Sequence, residues 1–448
     1  MNSGFFVFCT NKPLRKYFFK KVNNVYYQKL LSKTFKESVG VRKLVASKIL
    51  LSFILLIGLL GFVVSEKTEA ASKPQYTITI KSNPYKKQYI NYGTYNKYTK
   101  HYYVLRSYLE RLEKLGGGTL VLKKGTYTIT NTLYVPSNVT IKFENGVVIK
   151  KGAKTGTSKI KPAKSIFQLV KPSKANKKKV YGKYSGEKNI SFIGTGSVVF
   201  DLNYYKDSIA IIMGHNSNVV VKGIQFKNMH SGHFIEMDAS KNVKVYNNAF
   251  MNHKPSPNKN KEAINLDTPD RNTKGWSQEW SKFDGTANLN VLIQNNTFKN
   301  LERAVGTHKY TQGKYHTDVK VIGNKIENMV QDGIRVMNWD KPIIKDNKIK
   351  NIADGKGSYR GILMSGVKYP QVTNNRIEKA ARPIQIMPWK NSGPGSNYKV
   401  TYNVLSENNK TMMSKTTYVK NVGETIIRIN NKYNVFDRDT EKLTTKLF

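Results

Sequence analysis

The sequence predicts an all-β fold, a parallel β-helix in which short strands stack coil on coil, and three observations support this prediction. Six nine-residue segments align with one another, each with alternating apolar residues and a turn before its end. They begin at intervals of 23 to 28 residues, with one larger gap between Asn242 and Asn290. Strands this short cannot bury a face alone, so such a repeat is typical of a solenoid. The segments are NVVVKGIQF from Asn218, NVKVYNNAF from Asn242, NVLIQNNTF from Asn290, DVKVIGNKI from Asp318, KPIIKDNKI from Lys341 and YPQVTNNRI from Tyr369.

The third observation is a second set of aligned strands, six residues each, whose third and fifth residues are almost all apolar. In an extended chain these residues share the core face, and the second, fourth and sixth residues share the outward face. The strands are HFIEMD from His233, EAINLD from Glu262, RAVGTH from Arg303, DGIRVM from Asp332, RGILMS from Arg360 and RPIQIM from Arg382. Their fourth residues read Glu236, Asn265, Gly306, Arg335, Leu363 and Gln385, and their sixth residues read Asp238, Asp267, His308, Met337, Ser365 and Met387.

A column of asparagines runs through the repeats: Asn248, Asn296, Asn324, Asn347 and Asn375. We expect a ladder at a turn, in which each side-chain amide bonds to the next and the asparagine tolerates left-handed backbone geometry. This expected role is structural.

The first 71 residues have the composition of an export segment. A basic stretch to Lys48 precedes an apolar run, Ile49 to Val64, and small residues follow, which is typical of a signal peptide cleaved after Ala70 or Ala71. The alternative is an uncleaved membrane anchor, although the run of 16 residues is shorter than the roughly 20 that a spanning helix needs. We therefore expect a secreted or cell-surface protein, with residues 72–100 as a linker and residues 101–448 as a β-helix domain capped at both ends.

The chain carries a formal net charge of +46 and a single cysteine, Cys9. Residues 1–70 hold 12 basic and 3 acidic side chains, a net of +9, which leaves +37 for the rest. An exported domain without disulfides depends on a large core, and such a charge predicts attraction to a polyanion. We expect an acidic polysaccharide substrate and a cell-wall polyanion as a further partner. We expect no nucleic acid, and membrane contact only through an uncleaved N-terminal segment.

The segment before the first coils is expected to form a capping helix. Between Tyr102 and Leu115 apolar residues recur at helical spacing, and Gly116-Gly117-Gly118 ends the pattern. Short alternating strands follow at once, TLVLKKGTYTIT from Thr119 and TLYVPSNVTIKFENGVVIK from Thr132.

The opening from Gly116 to Tyr127, with the helix before it, resembles that of the pectin-lyase-like right-handed parallel β-helices. In that family an amphipathic helix, a Gly-Gly-Gly turn, an apolar strand and a Gly-x-Tyr precede the coils. The resemblance implies an all-β, right-handed parallel β-helix with an N-terminal capping helix that protects the edge of the first coil. It also implies an exported bacterial protein similar to polysaccharide lyases and polygalacturonase-like glycoside hydrolases.

The outward face of the aligned strands carries candidate catalytic residues. Asp238 and Asp267 share a column on neighbouring coils, so their carboxylates are expected about 5 Å apart. Glu236 lies diagonally from Asp267, at about 7–8 Å. A closer pair suits retaining glycoside hydrolysis and a wider pair suits the inverting route. Like charges this close also raise one pKa, as an acid catalyst needs.

Two later residues extend this set. His308 follows Asp267 in the same column and could relay protons, while Arg335 lies one coil further on and could hold a carboxylate or sulfate. The coil order is similar to that of the polygalacturonase-like hydrolases, although the chain has no Asn-Thr-Asp, Asp-Asp or Arg-x-Lys motif and Met337 stands where the lysine would be. The resemblance implies hydrolysis of a polysaccharide, with a catalytic set of Asp238, Asp267, Glu236, His308 and Arg335.

Two other functions fit the same residues. The first is β-elimination on a polyuronate, in which a later basic residue is the base and Ca²⁺ is bound by Glu236, Asp238 and Asp267. Hydrolysis by the paired carboxylates needs no metal or other cofactor. The second is non-catalytic glycan binding at a cell surface, because a solenoid offers a long binding face.

Aromatic residues follow the outward-facing strands and predict sugar subsites, since sugar rings stack on aromatic planes. The predicted substrate-binding residues, polar neighbours included, are Trp276, Trp280, Tyr310, Trp339, Trp389, Asn265 and Lys309. The alternative is that the aromatic side chains only cover the end of the sheet.

The first residues of the six strands alternate in charge: His233, Glu262, Arg303, Asp332, Arg360 and Arg382. Their parity points inward, but at a strand edge we expect a structural column of salt bridges rather than a site.

Overall fold

The structure, a computed structural model, describes residues 73–390, 400–401, 403–424 and 426–429. In these residues the chain winds through three long parallel sheets, with successive coils adding strands to each sheet, as the sequence predicts. The predicted export segment, residues 1–71, lies outside the described residues. No helix of the described part is long and apolar enough to cross a membrane.

The three sheets run the length of the solenoid. Sheet 1 contains Gln75–Ile78, Gly118–Leu122, Val139–Phe143, Lys188–Gly194, Ser217–Lys222, Lys241–Tyr246, Leu289–Gln294, His316–Ile322, Trp339–Asp340, Ile343–Lys345 and Gln371–Thr373. Sheet 2 contains Gly125–Ile129, Val147–Lys151, Val198–Asp201, Gln225–His230, Ala249–Lys254, Thr297–Leu301, Lys325–Met329, Lys348–Ile352, Arg376–Glu378 and Tyr418–Lys420. Sheet 3 contains Leu133–Tyr134, Ser165–Gln168, Ile209–Gly214, His233–Asp238, Glu262–Asp267, Arg303–Gly306, Ile334–Met337, Arg360–Ser365, Arg382–Ile386 and Ile427–Ile429.

Inward-facing residues of all three sheets form one continuous hydrophobic core. In sheet 2 the inward phenylalanines stack from coil to coil. The rings of Phe226 and Phe250 are 4.9 Å apart at 8°, and those of Phe250 and Phe298 are 4.9 Å apart at 9°. The strand register is fixed by this packing, because a slip of one residue would turn the whole inward row outward.

The predicted asparagine ladder is present, with one change in its geometry. Oδ1 of Asn296 accepts hydrogen bonds from the main-chain N–H of Asn248 at 2.9 Å and from its Nδ2 at 3.1 Å. The same pair of bonds repeats through successive coils to Asn375. The expectation of left-handed geometry for these residues is wrong: positive φ angles occur one residue earlier, as at Asn247 and Asn295.

The N-terminal end is folded earlier than the sequence indicates. The prediction of a linker over residues 72–100 is wrong, because Gln75–Ile78 pairs in parallel with Gly118–Leu122 as the first strand of sheet 1. A 3-10 helix, Lys87–Asn91, follows this strand. The predicted capping helix spans Lys100–Lys114 and buries a leucine stripe in the core, Leu105, Leu109 and Leu112.

The other end is covered by a second helix. Helix Glu407–Thr416 begins with a capping box at Ser406 and packs beside Gln371–Thr373, the last strand of sheet 1. An antiparallel pair precedes it, Trp389–Lys390 with Val400–Thr401. Two further 3-10 helices lie in loops, Pro172–Lys174 and Ala353–Gly355.

Candidate active site

The outward face of sheet 3 carries the predicted site residues in the predicted register. Glu236 pairs with Asn265, and Asp238 pairs with Asp267, on neighbouring strands. The following coils add Gly306 and then Arg335 to the column of Glu236. The predicted alternation of faces therefore holds from the third residue of each strand. It is wrong for the second residues, because Phe234, Ala263 and Ala304 belong to the hydrophobic core.

A cavity of about 520 Å³ lies over this face. Glu236, Asn265 and Asp267 line it, together with His308 and Lys309. The lining also includes one further acid, Asp207, and four lysines. These are Lys164, Lys261, Lys274 and Lys309. The cavity thus combines two carboxyl groups of the sheet with a positively charged rim.

A second cavity of about 430 Å³ adjoins the first and shares Asp207, Ser231, Lys261, His308 and Lys309 with it. Its lining also includes Arg303 and Arg335, so cations outnumber the single acid. The two cavities together form a groove whose second half suits a negatively charged group.

Glu236 is 8% exposed and lies in the larger cavity. Nδ2 of Asn265 donates a hydrogen bond to its Oε1 at 3.2 Å, and Nε2 of His233 is 3.5 Å from its Oε2. Burial, and then the charge of Asp267, raise the pKa of Glu236 well above its usual value. The side chain can therefore keep a proton near neutral pH, as a general acid must.

Asp267 is buried but also lines the larger cavity. Its Oδ1 accepts hydrogen bonds from the main-chain N–H groups of His308 and Lys309, both at 3.0 Å. Burial raises the pKa of Asp267, and the charge of His308 and the bond from Lys309 oppose that increase. The carboxyl group is thus held in one orientation by the backbone of the next coil.

Asp238 has a different position from the one expected for a leading catalytic residue. It is fully buried, and it does not line either cavity. Its Oδ1 accepts a hydrogen bond from the N–H of Asp267 at 3.2 Å, and its Oδ2 has no partner in the described residues. Burial, followed by the charges of Glu236 and Asp267, raises its pKa well above the usual value. Asp238 therefore binds the main chain of Asp267 from within the protein. The two carboxyl groups that a ligand in the cavity can reach are those of Glu236 and Asp267.

Glu262, at the start of its strand, forms the salt bridges expected for the strand-edge column. Arg303 donates from Nη1 to its Oε1 at 2.9 Å, and Nδ1 of His308 lies 3.0 Å from its Oε2. Burial alone would raise the pKa of Glu262, but the charges of His308 and Arg303 and the hydrogen bond from His308 hold it well below its usual value. Two coils on, Asp332 pairs with Arg360 in the same way, at 3.0 Å.

Arg335, predicted with the catalytic set, lies in the second cavity and not in the one that holds the two carboxyl groups. Burial, and then the charge of Arg303, lower its pKa to about 10. Its place beside the pair makes it suited to substrate binding rather than to proton transfer.

The predicted aromatic subsites are mostly not available to a ligand. Trp276 lines the larger cavity. The ring of Trp280 packs edge-on against the ring of Trp276, with the two centroids 5.3 Å apart. Both rings lie against Gly214, where an added Cβ would be within 2.8 Å of ring atoms. The loop that carries the two tryptophans therefore packs tightly over strand Ile209–Gly214, which precedes the strand of Asp238.

Tyr310 and Trp339 are both fully buried, so their prediction as sugar-stacking residues is wrong. Trp339 belongs to the hydrophobic core and donates from Nε1 to Oγ1 of Thr307 at 2.9 Å. The side chain of Trp389 lies outside the described part of the chain.

Several polar residues of the larger cavity were not predicted from the sequence, and His233, Lys164 and Lys261 are among them. His233 was expected to be a structural turn residue but lines the cavity beside Glu236. Lys164 and Lys261 each directly precede a strand of sheet 3 and also line it.

Calcium, considered for an elimination reaction, does not fit the acids well. The donor group of three that lies within 4.8 Å in the described residues is His233, Glu262 and His308, not the three acids of the outward face. Carboxyl groups with raised pKa values are poor ligands for a hard cation. Both oxygens of Glu262 are already bonded to protein groups, so that cluster is complete without an ion.

Comparisons with known proteins agree with this architecture. A family model described as "Right handed beta helix region" matches residues 282–437. "Plasmin and fibronectin-binding protein A" of Streptococcus pneumoniae is 26% identical over 266 residues, which cover 54% of this chain and 36% of that protein. The chain has a right-handed parallel β-helix fold.

Two solved structures illustrate the likeness of this β-helix. The S. pneumoniae surface protein and adhesin PfbA aligns with a TM-score of 0.50 at 17% identity, covering 73% of this chain and 95% of that one. A Family 28 exopolygalacturonase of Yersinia enterocolitica aligns with a TM-score of 0.37 at 15% identity, covering 68% and 72%. At these identities the likeness concerns the fold alone, and the chain spans about a third of the length of its curated relative.

Proposed function

We propose that the chain is an exported enzyme that hydrolyses an anionic polysaccharide, with Glu236 as general acid and Asp267 as general base. The observation that carries the proposal is that both carboxyl groups line one cavity and both have raised pKa values. Acids on a solvated surface would keep ordinary pKa values, whereas acid–base catalysis needs values near the working pH.

Glu236 has the properties of the proton donor. Its pKa is held well above the usual value by burial and by the charge of Asp267, which favours the protonated side chain that a general acid needs. It would give its proton to the glycosidic oxygen as the C–O bond breaks, which lets the sugar leave as an alcohol. Asn265, bonded to Oε1, holds the carboxyl plane during this step.

Asp267 has the properties of the base. Two backbone N–H groups fix its Oδ1 and stabilise its ionised form. Glu236 and Asp267 are diagonal neighbours on adjacent strands, a relation for which the spacing in a sheet is about 7–8 Å. Carboxyl groups at such a spacing would admit a water molecule between base and sugar. The water would lose its proton to Asp267 while its oxygen attacks the anomeric carbon. The proposed stereochemical outcome is therefore inversion.

The lining of the groove favours an anionic substrate. Lys164, Lys261, Lys274 and Lys309 surround the carboxyl pair, and Arg303 and Arg335 line the adjoining cavity. Carboxylate or sulfate groups of neighbouring sugars would be attracted by these cations, and an arginine can bind either group with two parallel hydrogen bonds.

A second candidate function is binding at the cell surface without catalysis. It is favoured by the 26% identity to a protein named for binding plasmin and fibronectin. Both candidates agree with a secreted or surface-associated location, and a basic solenoid could also hold a cell-wall polyanion.

The test of the proposal is cleavage of acidic glycans by the purified chain. Uronate polymers and sulfated galactans would be incubated with it, and reducing ends would be followed together with absorbance of unsaturated ends near about 235 nm. We expect reducing ends without that absorbance, and no change on adding a chelator. Absorbance that rises with the reducing ends would instead indicate elimination.

A matched pair of variants separates catalysis from binding. Glu236→Gln should remove cleavage, whereas Glu327→Gln, a half-exposed glutamate on sheet 2, should retain it. Glycan binding without cleavage in the wild type, unchanged in Glu236→Gln, would favour the non-catalytic function.

A further inference from the structure

Glu262 lies at the centre of a hydrogen-bonded cluster beside the proposed catalytic pair, and it contacts two histidines through different groups. Its side chain meets Nδ1 of His308 at 3.0 Å, and its main-chain oxygen meets Nδ1 of His233 at 2.6 Å. The two imidazole rings lie side by side, with centroids 5.9 Å apart at 30°. Both histidines line the larger cavity.

The contact with His308 fixes the position of a proton. Arg303 donates to Oε1 of Glu262 at 2.9 Å, and its permanent positive charge favours the ionised carboxylate against the effect of burial. An ionised carboxylate can only accept hydrogen bonds, so the proton must be on Nδ1 of His308. When the ring is neutral, Nε2 carries the lone pair and can accept a hydrogen bond.

The contact with His233 also determines which nitrogen of its ring carries the proton. A carbonyl oxygen accepts and never donates, so Nδ1 of His233 must carry the proton. Nε2 of His233 is therefore also an acceptor, and it lies 3.5 Å from Oε2 of Glu236. A protonated Glu236 can donate to this nitrogen when no substrate is bound.

We propose that Glu262 is a positioning residue that fixes both histidines with Nδ1 protonated, so that two acceptor nitrogens stand beside Glu236 and Asp267. Nδ1 of His308 is also 3.9 Å from Oδ2 of Asp267, so the imidazole ring lies beside the proposed base. In this arrangement Nε2 of His308 accepts a hydrogen bond from the attacking water or from a sugar hydroxyl, while Nε2 of His233 orients the carboxyl group of Glu236. The catalytic part of this inference rests on the proposed hydrolase function, and the arrangement of protons does not.

Arg303 makes the effect of one substitution predictable. In Glu262→Gln, the amide oxygen should face the Arg303 guanidinium, which can only donate. The amide NH₂ would then face Nδ1 of His308, which must become an acceptor and move its proton to Nε2. His233 is held by the main chain, so its tautomer should not change and serves as the control within the same molecule.

The test is the ¹⁵N spectrum of the histidine-labelled chain, with His308→Gln and His233→Gln used for assignment. In the wild type at a pH where the rings are neutral, both histidines should show protonated Nδ1 and unprotonated Nε2. Glu262→Gln should reverse the pattern for His308 alone. Asp332→Asn, which changes the equivalent acid two coils on, should leave both histidines unchanged.

Kinetics test the catalytic part separately. If the wild type cleaves a glycan, Glu262→Gln should lower kcat by about 10²-fold and change its pH profile, with little effect on KM. In a background of His308→Gln the same change should have almost no further effect on kcat.

Three results would overturn the positioning role. They are protonated Nε2 on His308 in the wild type, an unchanged tautomer in Glu262→Gln, or Zn²⁺ at micromolar concentration binding to Nε2 of both histidines, which would indicate a metal site instead. The predicted tautomers in a chain that cleaves no glycan would support the arrangement and contradict the hydrolase.

Discussion

Sheet 3 contains two groups of buried acids that differ in one respect, the presence of cations. Glu262 and Asp332 at the strand edge are each paired with an arginine at 2.9 or 3.0 Å. Glu236, Asp238 and Asp267 on the outward face have mainly one another, amides and backbone N–H groups as close neighbours. The pKa of Glu262 is lowered, and the pKa values of the outward acids are raised.

The difference shows what each group is suited to. A buried acid with a matched cation stays ionised and joins neighbouring coils, but it has no proton to give at neutral pH. A buried acid beside other acids destabilises the fold when it ionises, and it is retained where a function needs the proton. Two glutamates on adjacent strands thus have opposite roles because of their partners, not because of their burial.

The difference between the two groups of acids is tested most directly by substituting one acid from each group. Asp267→Asn should lower the rate of glycan cleavage by about 10²–10⁴-fold, because the proposed base is lost while the fold is kept. Asp332→Asn should change the rate per folded molecule little. Reducing-end assays and circular dichroism on both variants provide the measurement, and equal losses of activity would contradict the distinction.

The second largest effect concerns stability. Asp332→Ala should lower the free energy of unfolding by about 3–5 kcal/mol, because the buried guanidinium of Arg360 loses its anionic partner. Glu279→Gln removes the partner of Arg271 at a half-exposed surface pair and should leave the melting temperature unchanged. Similar melting temperatures for the two variants would show that the strand-edge column does not stabilise the fold.

The pH dependence of stability should have opposite signs in the two groups. The folded pKa of Glu236 is raised, so the wild type loses stability as pH rises from the unfolded value of about 4.5 through the folded value. Glu236→Gln should therefore be more stable than the wild type at pH 8 but not at pH 4, by ~1.4 kcal/mol per unit of pKa shift. Glu262 contributes stability above its unfolded value, which is lost as pH falls through the lowered folded pKa. Thermal melts of both glutamine variants across pH would check the two signs.

The smallest expected change is that of Asp238→Asn. The asparagine keeps Oδ1 as acceptor for the N–H of Asp267 and removes a buried acid, so the melting temperature at neutral pH should rise slightly. Because Asp238 does not line the cavity, kcat should stay within about tenfold of the wild type. Complete loss of cleavage would indicate that Asp238 is itself a catalytic residue.

The strand register of the solenoid could be predicted from the sequence, because it depends on two patterns that can be read directly along the chain. Period-2 patterning decides which face of a strand is buried, and the repeat decides which residues share a column. Glu236, Asn265, Asp267 and Arg335 were placed correctly on the outward face for this reason.

The misplaced residues depend on how loops pack, which the pattern does not encode. Asp238 has outward parity, yet Trp276 and Trp280 close over Gly214, its partner in the adjacent strand. Trp339 was assigned to a loop but pairs with His316 in sheet 1 and enters the core. His233 was expected to be structural because nothing in the spacing shows that Nε2 reaches Glu236.

The central claim is that Glu236 keeps its proton near neutrality while Glu262, on the next strand, does not. Its most direct test is ¹³C titration of the glutamate carboxyl groups, with Glu236→Gln and Glu262→Gln used for assignment. The account predicts that the Glu236 signal titrates well above 4.5 and that the Glu262 signal stays ionised well below that value. Titration of both carboxyl groups together near 4.5 would contradict it.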